Sequence, residues 1–264
     1  PGRIIRVPGG VAMNIAMALS RFGLVPGLLT AVGRDAQGDE LIEAAQVRNI
    51  MTDYVYRSDD LPTDIYMAVE GANGLIAAIA DAHSLEAADD KILRALKDGR
   101  LGSEDAPYAG KIALDGNLTA ALLRVIATSP LFIAADLRVA PASPGKAERL
   151  LPLLKHPRAT LYMNLEEAGL LCHQSFTTSQ DGAAALIAKG AYRVLVTDKD
   201  ATLATQDITI TQTPPPVMVA RVTGAGDTFM AAHIAAEMSG AEDINSLNQA
   251  LEAAALYVSG DTDI

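Results

Sequence analysis

Arg221-Val222-Thr223-Gly224-Ala225-Gly226-Asp227-Thr228-Phe229 runs directly into an alanine-rich apolar segment, Met230 to Met238. Small residues followed by a carboxylate at the head of a helix make a site for negative charge. Gly224 and Gly226 let the backbone turn sharply and present bare N–H groups, and the helix behind adds the positive end of its dipole. A carboxylate beside an anion cradle repels the anion it would help to hold. Asp227 therefore makes sense as a base taking a proton from a nucleophile that attacks the anion. It makes equal sense, on this pattern alone, as a helix cap.

Two further stretches lie upstream in the chain. The first is Pro8-Gly9-Gly10-Val11-Ala12-Met13-Asn14-Ile15-Ala16, followed by Ala31-Val32-Gly33-Arg34-Asp35-Ala36-Gln37-Gly38. The second is Asn164-Leu165-Glu166-Glu167. Asn164 and Glu167 are three apart at a helix start, a spacing that also suits a capping box. Taken together and in this order, these segments and Thr223-Gly224-Ala225-Gly226-Asp227 resemble the signatures of the ribokinase-like (PfkB) family of sugar and nucleoside kinases.

The resemblance implies an α/β fold, a ribokinase-like three-layer sandwich. It has a mainly parallel central sheet and a small β-sheet lid. It implies ATP as phosphoryl donor with Mg²⁺, and Asp227 as general base. Gly224, Ala225 and Gly226 then belong to the anion hole. Gly9, Gly10 and Asn14 meet a substrate hydroxyl, with Asn117 and Asp81 beside them. Asn164, Glu167, Thr197 and Thr223 border the nucleotide and phosphates, Glu167 reaching Mg²⁺ through water, since Mg²⁺ keeps several of its waters. Family members carry a first core strand ending in a substrate-binding Asp. Here Ile4-Ile5-Arg6-Val7 runs straight into the Gly-Gly motif, with no initiator Met and no signal peptide, and that strand is not seen.

Composition narrows the partners. A net charge of −11 over 264 residues argues against nucleic acid. A small anionic substrate stays possible, because a local cradle acts against the global field. The single cysteine, Cys172, excludes an internal disulfide and suits a reducing cytosol. Without a run of about 18 apolar residues, no membrane span is expected.

Periodicity sets out the rest. Val11 to Phe22 reads as a helix with Val11, Ile15, Ala18, Leu19 and Phe22 on one face. Leu28 to Val32 reads as a buried strand and Gly38 to Arg48 as a helix, with Asp35 chiefly a turn or cap residue. Ile4–Val7, Tyr54–Arg57, Asp64–Glu70 and Leu75–Ile79 read as strands standing apart from the main sheet, the last two joined at Asn73-Gly74, a strong hairpin signal. The core is thus expected over 8–53 and 80–264, the lid over 1–7 and 54–79, with the lid's apolar strands pairing two chains as a homodimer.

From Lys111 onward strands alternate with helices, as a covered parallel sheet requires. Strands are expected at Lys111–Asp115, Leu131–Asp136, Thr160–Met163 and Arg193–Thr197, and helices at Thr119–Ala127, Lys146–Leu154, Leu165–Cys172, Asp181–Lys189 and Asp243–Val258. Asp115, Asn117, Asp136 and Asn164 then share the carboxyl edge of the sheet, where ligands of such folds gather.

Two departures from the family pattern stand out. The turn Thr197-Asp198-Lys199-Asp200-Ala201-Thr202 has no glycine where many members have a Gly-rich turn beside the nucleotide. Arg221 replaces an Asp that many sugar kinases carry, which removes a ligand from their monovalent-cation site. Val222-Thr223 before Gly224, Asp115-Gly116-Asn117-Leu118 and Ala77-Ala78-Ile79-Ala80-Asp81 resemble segments of the family's pseudouridine kinases. The resemblance thus implies phosphorylation of a nucleoside, pseudouridine first. The alternatives are another sugar kinase of ribose or ketose type, or a sugar- or nucleoside-binding protein without turnover.

Overall fold

The computed structural model describes residues 4–71 and 74–260. Its centre is a six-stranded sheet in the order β10-β9-β8-β7-β6-β5. The parallel strands are β5 (Lys111–Asp115), β6 (Asp136–Ala140), β7 (Ala159–Asn164) and β8 (Arg193–Thr197). The strands β9 (Ala201–Ala204) and β10 (Thr209–Gln212) continue it antiparallel.

Side-chain alternation along the strands builds two cores. Leu161, Met163, Val194 and Val196 face one side, where they pack with Leu122, Leu123 and Ile126 of α4 (Ala120–Thr128), Leu171 of α5 (Leu165–Cys172) and Leu186 of α6 (Ser179–Ala188). Tyr162 and Leu195 face the other side, against Ile15 and Leu19 of α1 (Val11–Arg21), Phe229 and Ile234 of α7 (Ala225–Met238) and Leu247 and Leu251 of α8 (Asp243–Ser259). Helix, sheet and helix therefore stack as three layers. Thr228 to Ala236 of α7 are all buried, as suits a helix that is apolar on every side.

The expected elements appear with small shifts, and four differ in kind. Ile4–Val7 forms no strand; these residues are irregular and exposed, with nothing to pair their backbone. The strand near Tyr54 is β2 (Tyr56–Ser58), which pairs in parallel with β1 (Ala31–Gly33) instead of joining the lid. Leu131 and Phe132 lie in a 3₁₀ turn started by Pro130, so the next strand begins at Asp136 instead of ending there. Residues Pro144–Leu153 are 3₁₀ and not α-helical, with Pro152 inside the segment removing a backbone donor. The strands β9 and β10 go beyond the sequence reading, in which Asp198–Thr202 is a turn.

The shift at Asp136 moves it to the amino edge of the sheet. Burial would raise its carboxyl, but Arg138 at 2.7 Å and Lys111 at 2.5 Å outweigh that and hold it down at about 2. Behind it the Arg138 guanidinium donates to the Tyr162 hydroxyl at 3.0 Å, which bonds His233 Nδ1 at 2.8 Å. Burial drives the His233 imidazole down to about 3, so it is neutral. Asp136 thus belongs to a buried polar network that fixes the lower half of α7.

The lid among the described residues is one hairpin, β3 (Ile65–Gly71) and β4 (Gly74–Asp81). The Ala72-Asn73 part of its expected turn lies outside the described residues. Its base is clamped to the core. Asp64 accepts the N–H groups of Ser84 at 2.9 Å and Leu85 at 3.2 Å, at the start of α3 (Ser84–Ala88). Next to Asp64, in the irregular stretch before β3, Thr63 donates both its N–H and its hydroxyl to Asp35, at 2.8 and 2.6 Å.

Asp35 caps α2 (Ala36–Gln46) as expected, accepting from Gly38 N at 2.8 Å. The hydrogen bonds from Thr63, its side chain first, hold the carboxyl below its usual range. Both flanking glycines are required here. A Cβ at Gly38 would lie 2.3 Å from the Gly33 carbonyl, and one at Gly33 would lie 2.5 Å from the Asp35 carboxylate.

Candidate active site

Two helices start at one point beside the carboxyl edge of the sheet. Gly224, with φ of +91°, is the N-cap of α7, and Gly10, with φ of +93°, is the N-cap of α1. A non-glycine residue rarely holds either conformation. At Gly224 an added Cβ would also lie 2.4 Å from the Tyr257 hydroxyl, which donates to the Thr223 carbonyl at 2.9 Å. Tyr257 of α8 thereby braces the loop from behind. Its ring is covered by the Arg221 guanidinium at 3.7 Å, and Arg221 Nε donates to the Tyr257 carbonyl at 2.8 Å. Arg221 thereby fastens the loop to α8.

Asp227 is the third residue of α7, and its side chain makes no cap bond. It accepts instead from Asn14 Nδ2, on the first turns of α1, at 2.8 Å. Burial raises the Asp227 carboxyl to about 6; the Asn14 bond opposes this and the nearby Asp115 carboxylate adds to it. Asp227 is therefore not the N-cap, and its half-buried carboxylate is held well above the usual range.

Around it, Cβ atoms built at Gly9, Gly10 and Gly226 would meet nothing within 4 Å, so all three border open space. Of the expected anion-hole residues, Ala225 spends its N–H on the Val222 carbonyl at 3.1 Å. The open donors at the head of α7 are those of Gly226 and Asp227, which take no acceptor among the described residues.

Asp115, expected at this edge, and Lys146, which the sequence did not mark, sit here as well. Asp115, at the end of β5, is buried, and its burial pushes its carboxyl up against the pull of the Asn117 and Ala12 N–H groups and of Lys146. Asn117 N–H donates to Asp115 at 2.6 Å, while the Asn117 side-chain oxygen accepts from Lys146 Nζ at 2.7 Å. Asn117 is thus oriented by Lys146. Strand-end placement marks Asp115 in the sequence; Lys146 lies in the first turn of the 3₁₀ segment Pro144–Leu153, with no motif to mark it.

The expected nucleotide residues form a second group. Asn164 and Thr197 are register partners at the carboxyl ends of β7 and β8. Asn164 and Glu167 make the reciprocal capping box: Glu167 N donates to Asn164 Oδ1 at 2.9 Å, and Asn164 N to Glu167 Oε2 at 2.8 Å. Burial raises the Glu167 carboxyl to about 7. With one oxygen engaged, and no group of three or more His, Cys, Asp or Glu side chains placed to hold a metal among the described residues, the donor set fits Mg²⁺ only through water and phosphate oxygens.

The glycine-free turn closes without strain. Asp198 N donates to the Asp200 carbonyl at 2.8 Å, and no residue from 198 to 200 has positive φ. Thr223 is exposed in the α7 loop. Asp81 stands apart: it is exposed at the base of the hairpin, paired with Ile65, and bonds none of the other candidate residues. Cys172 is buried, as expected. No helix of the described residues is long and apolar enough to cross a membrane.

The profile of the pfkB family of carbohydrate kinases matches residues 2–262. An uncharacterized sugar kinase of Escherichia coli (strain K12), YeiI, is 30% identical over 187 residues, 69% of this chain and 48% of that protein. The pseudouridine kinase of Arabidopsis thaliana is 30% identical over 78 residues, 30% of this chain and 20% of that protein. The chain therefore spans about half or less of the length of these curated relatives. Among solved structures, a carbohydrate kinase from Agrobacterium tumefaciens aligns with a TM-score of 0.81 at 26% identity, over 97% of this chain and 81% of that one. Ribokinase from Thermotoga maritima aligns with a TM-score of 0.81 at 19% identity, over 100% and 87%. The second likeness is one of fold.

Proposed function

The chain belongs to the pfkB family of carbohydrate kinases, and on that footing we propose that it transfers the γ-phosphoryl group of ATP to a primary hydroxyl of a sugar or nucleoside. The observation that carries this reading is the Asp227 carboxylate, held at about 6 between two glycine-capped helix starts and tied to Asn14. The acceptor hydroxyl lies against Gly9, Gly10 and Asn14 and gives its proton to Asp227 as its oxygen attacks the γ-phosphorus. Charge on the transferred group is met by the Gly226 and Asp227 N–H groups and the α7 dipole. General-base help supplies roughly 10²–10⁴-fold, and positioning the remainder.

Bound with ATP, Mg²⁺ neutralises the charge of the phosphates. Asn164 and Glu167 would reach it through water, with Thr197 beside them. ATP-dependent chemistry and one buried thiol fit a cytoplasmic protein. A ribokinase from Arabidopsis thaliana at 22% identity is described in complex with ribose and ATP, and a ribokinase II from E. coli at 17% with ATP and Mg²⁺. Those likenesses support the fold that carries the site.

Pseudouridine is the preferred acceptor. Support comes from Val222-Thr223-Gly224, from Asp115-Gly116-Asn117, and from the local similarity to a pseudouridine kinase. The longer match to an E. coli sugar kinase favours a free sugar as the second reading. Comparing kcat/KM for pseudouridine, uridine and ribose at fixed MgATP tests the assignment. Pseudouridine should lead, since a site built on hydrogen bonds can reject an analogue lacking them by as much as ~10⁴–10⁵. Equal or better turnover of ribose would move the protein to the sugar reading. Binding without ATP consumption would leave a binding protein.

A further inference from the structure

Remote from Asp227 in the fold, a cavity of about 250 Å³ opens between β2, the loop before it and the 3₁₀ segment Asp89–Leu96. It shares no lining residue with the candidate active site. In a chain of net charge −11 its charged lining is all cationic: Arg34, Arg57, Lys91, Arg94 and Arg100, interleaved with Tyr54 and Tyr56.

Three of these cations already have carboxylate partners, and Arg57 also donates to the Gly33 carbonyl. Arg34 pairs with Asp59 at 2.9 Å, Arg57 with Asp39 at 2.7 Å, and Arg100 with Asp98 at 2.7 Å. Lys91 and Arg94 have no carboxylate within ion-pair distance among the described residues; the nearby Asp90 is taken by Lys97 at 2.7 Å. They are three apart on a 3₁₀ segment, so they project from the same face. Both lie over the Tyr56 ring, Lys91 Nζ at 5.5 Å and Arg94 Cζ at 4.9 Å from its centroid, while Arg100 covers Tyr54 at 5.9 Å.

Lys91 and Arg94 thus converge over one ring beside three ion-paired arginines, a concentration of cations that would attract an anion. The ring faces are already covered by cations, which leaves no platform for a base to stack. The volume falls below the roughly 300–1,000 Å³ of pockets for larger ligands. We propose that this cavity binds a phosphomonoester dianion, whose charge of about −1.5 to −2 matches the two free cations. The Arg94 guanidinium, which has no carboxylate partner among the described residues, suits its oxygens in a forked pair.

The test is calorimetric titration of the full chain, without nucleotide or Mg²⁺, with inorganic phosphate, ribose 5-phosphate and, as a neutral control, ribose. Both phosphates are expected to bind saturably and ribose to be silent at this site. Tighter binding of ribose 5-phosphate assigns an ester as the ligand; equal binding assigns free phosphate. Lys91→Ala/Arg94→Ala should weaken binding about tenfold or more. Both side chains are exposed, so folding is insensitive to their loss. Gly224→Ala, which disturbs the α7 anion cradle, should leave it unchanged. Absence of saturable binding, or binding kept by the double variant and lost in Gly224→Ala, would overturn the proposal. Because no turnover is read, its failure is distinct from failure of the kinase assignment.

Discussion

Asn14 and Asp227 stand 213 residues apart in the chain and are joined by a 2.8 Å hydrogen bond. Each sits just inside a helix whose cap is a glycine in a left-handed conformation. The bond therefore fixes two helix starts to one another, and it leaves Asp227 Oδ1 free to take up a proton.

If Asp227 is the base, Asp227→Asn should lower kcat by about 10²-fold or more while substrate affinity changes little. In the wild type, kcat/KM should rise with pH through about 6 and level off above it, since the carboxylate is the active form. Steady-state kinetics across this range decide the matter; near wild-type kcat in the variant would remove the residue from catalysis.

The same carboxyl should cost stability. Its folded value of about 6 lies above the ordinary 3.8, so the native state holds the proton more tightly. The associated stabilisation is full below the unfolded value and is lost as pH rises through about 6. Asp227→Asn, which never ionises, should then melt above wild type at neutral pH, by a ceiling of roughly 3 kcal/mol, and match it near pH ~4. Calorimetric melting at both pH values reads this; a variant less stable at neutral pH contradicts it.

At Gly224 the constraint is steric as well as conformational. Gly224→Ala forces a methyl against the Tyr257 hydroxyl, so the loop or α8 must shift. Loss of kcat by about tenfold or more is expected, because positioning at the anion site is sensitive to small displacements. Tyr257→Phe removes only the bond to Thr223 and should cost less. A fully active Gly224→Ala would show that the brace is dispensable.

The lid hairpin exposes Ile65, Tyr66, Met67, Val69, Ile76 and Ile79. An apolar two-stranded sheet with free edges calls for cover. We expect two chains to pair through it, giving a dimer at micromolar concentration by light scattering. Ile76→Lys should dissociate it. A wild-type monomer would sink this expectation.

Much of the architecture can be read from periodicity. Lys111–Asp115, Arg193–Thr197 and Leu165–Cys172 have the expected bounds, since alternation and a capping box both signal there. Asp136 was misplaced because Leu131-Phe132-Ile133-Ala134-Ala135 is as apolar as a strand; only Pro130 hints at the 3₁₀ turn that delays it. The Asn164–Glu167 spacing could not separate cap from ligand, because both uses need the same three-residue interval. Lys146 was invisible, as its role arises from a contact across 29 residues with Asn117.

The clamped base of the hairpin bears on how it can move. Asp35 grips one leg through Thr63, and Asp64 ties that leg to the start of α3 beyond the other. If the hairpin covers the cleft, these bonds at its root favour tilting as one unit about residues 63–64 and 82–84 over peeling strand from strand. The reach of that unit is set by strand length, and each change of length at its tip would alter how large an acceptor can be enclosed.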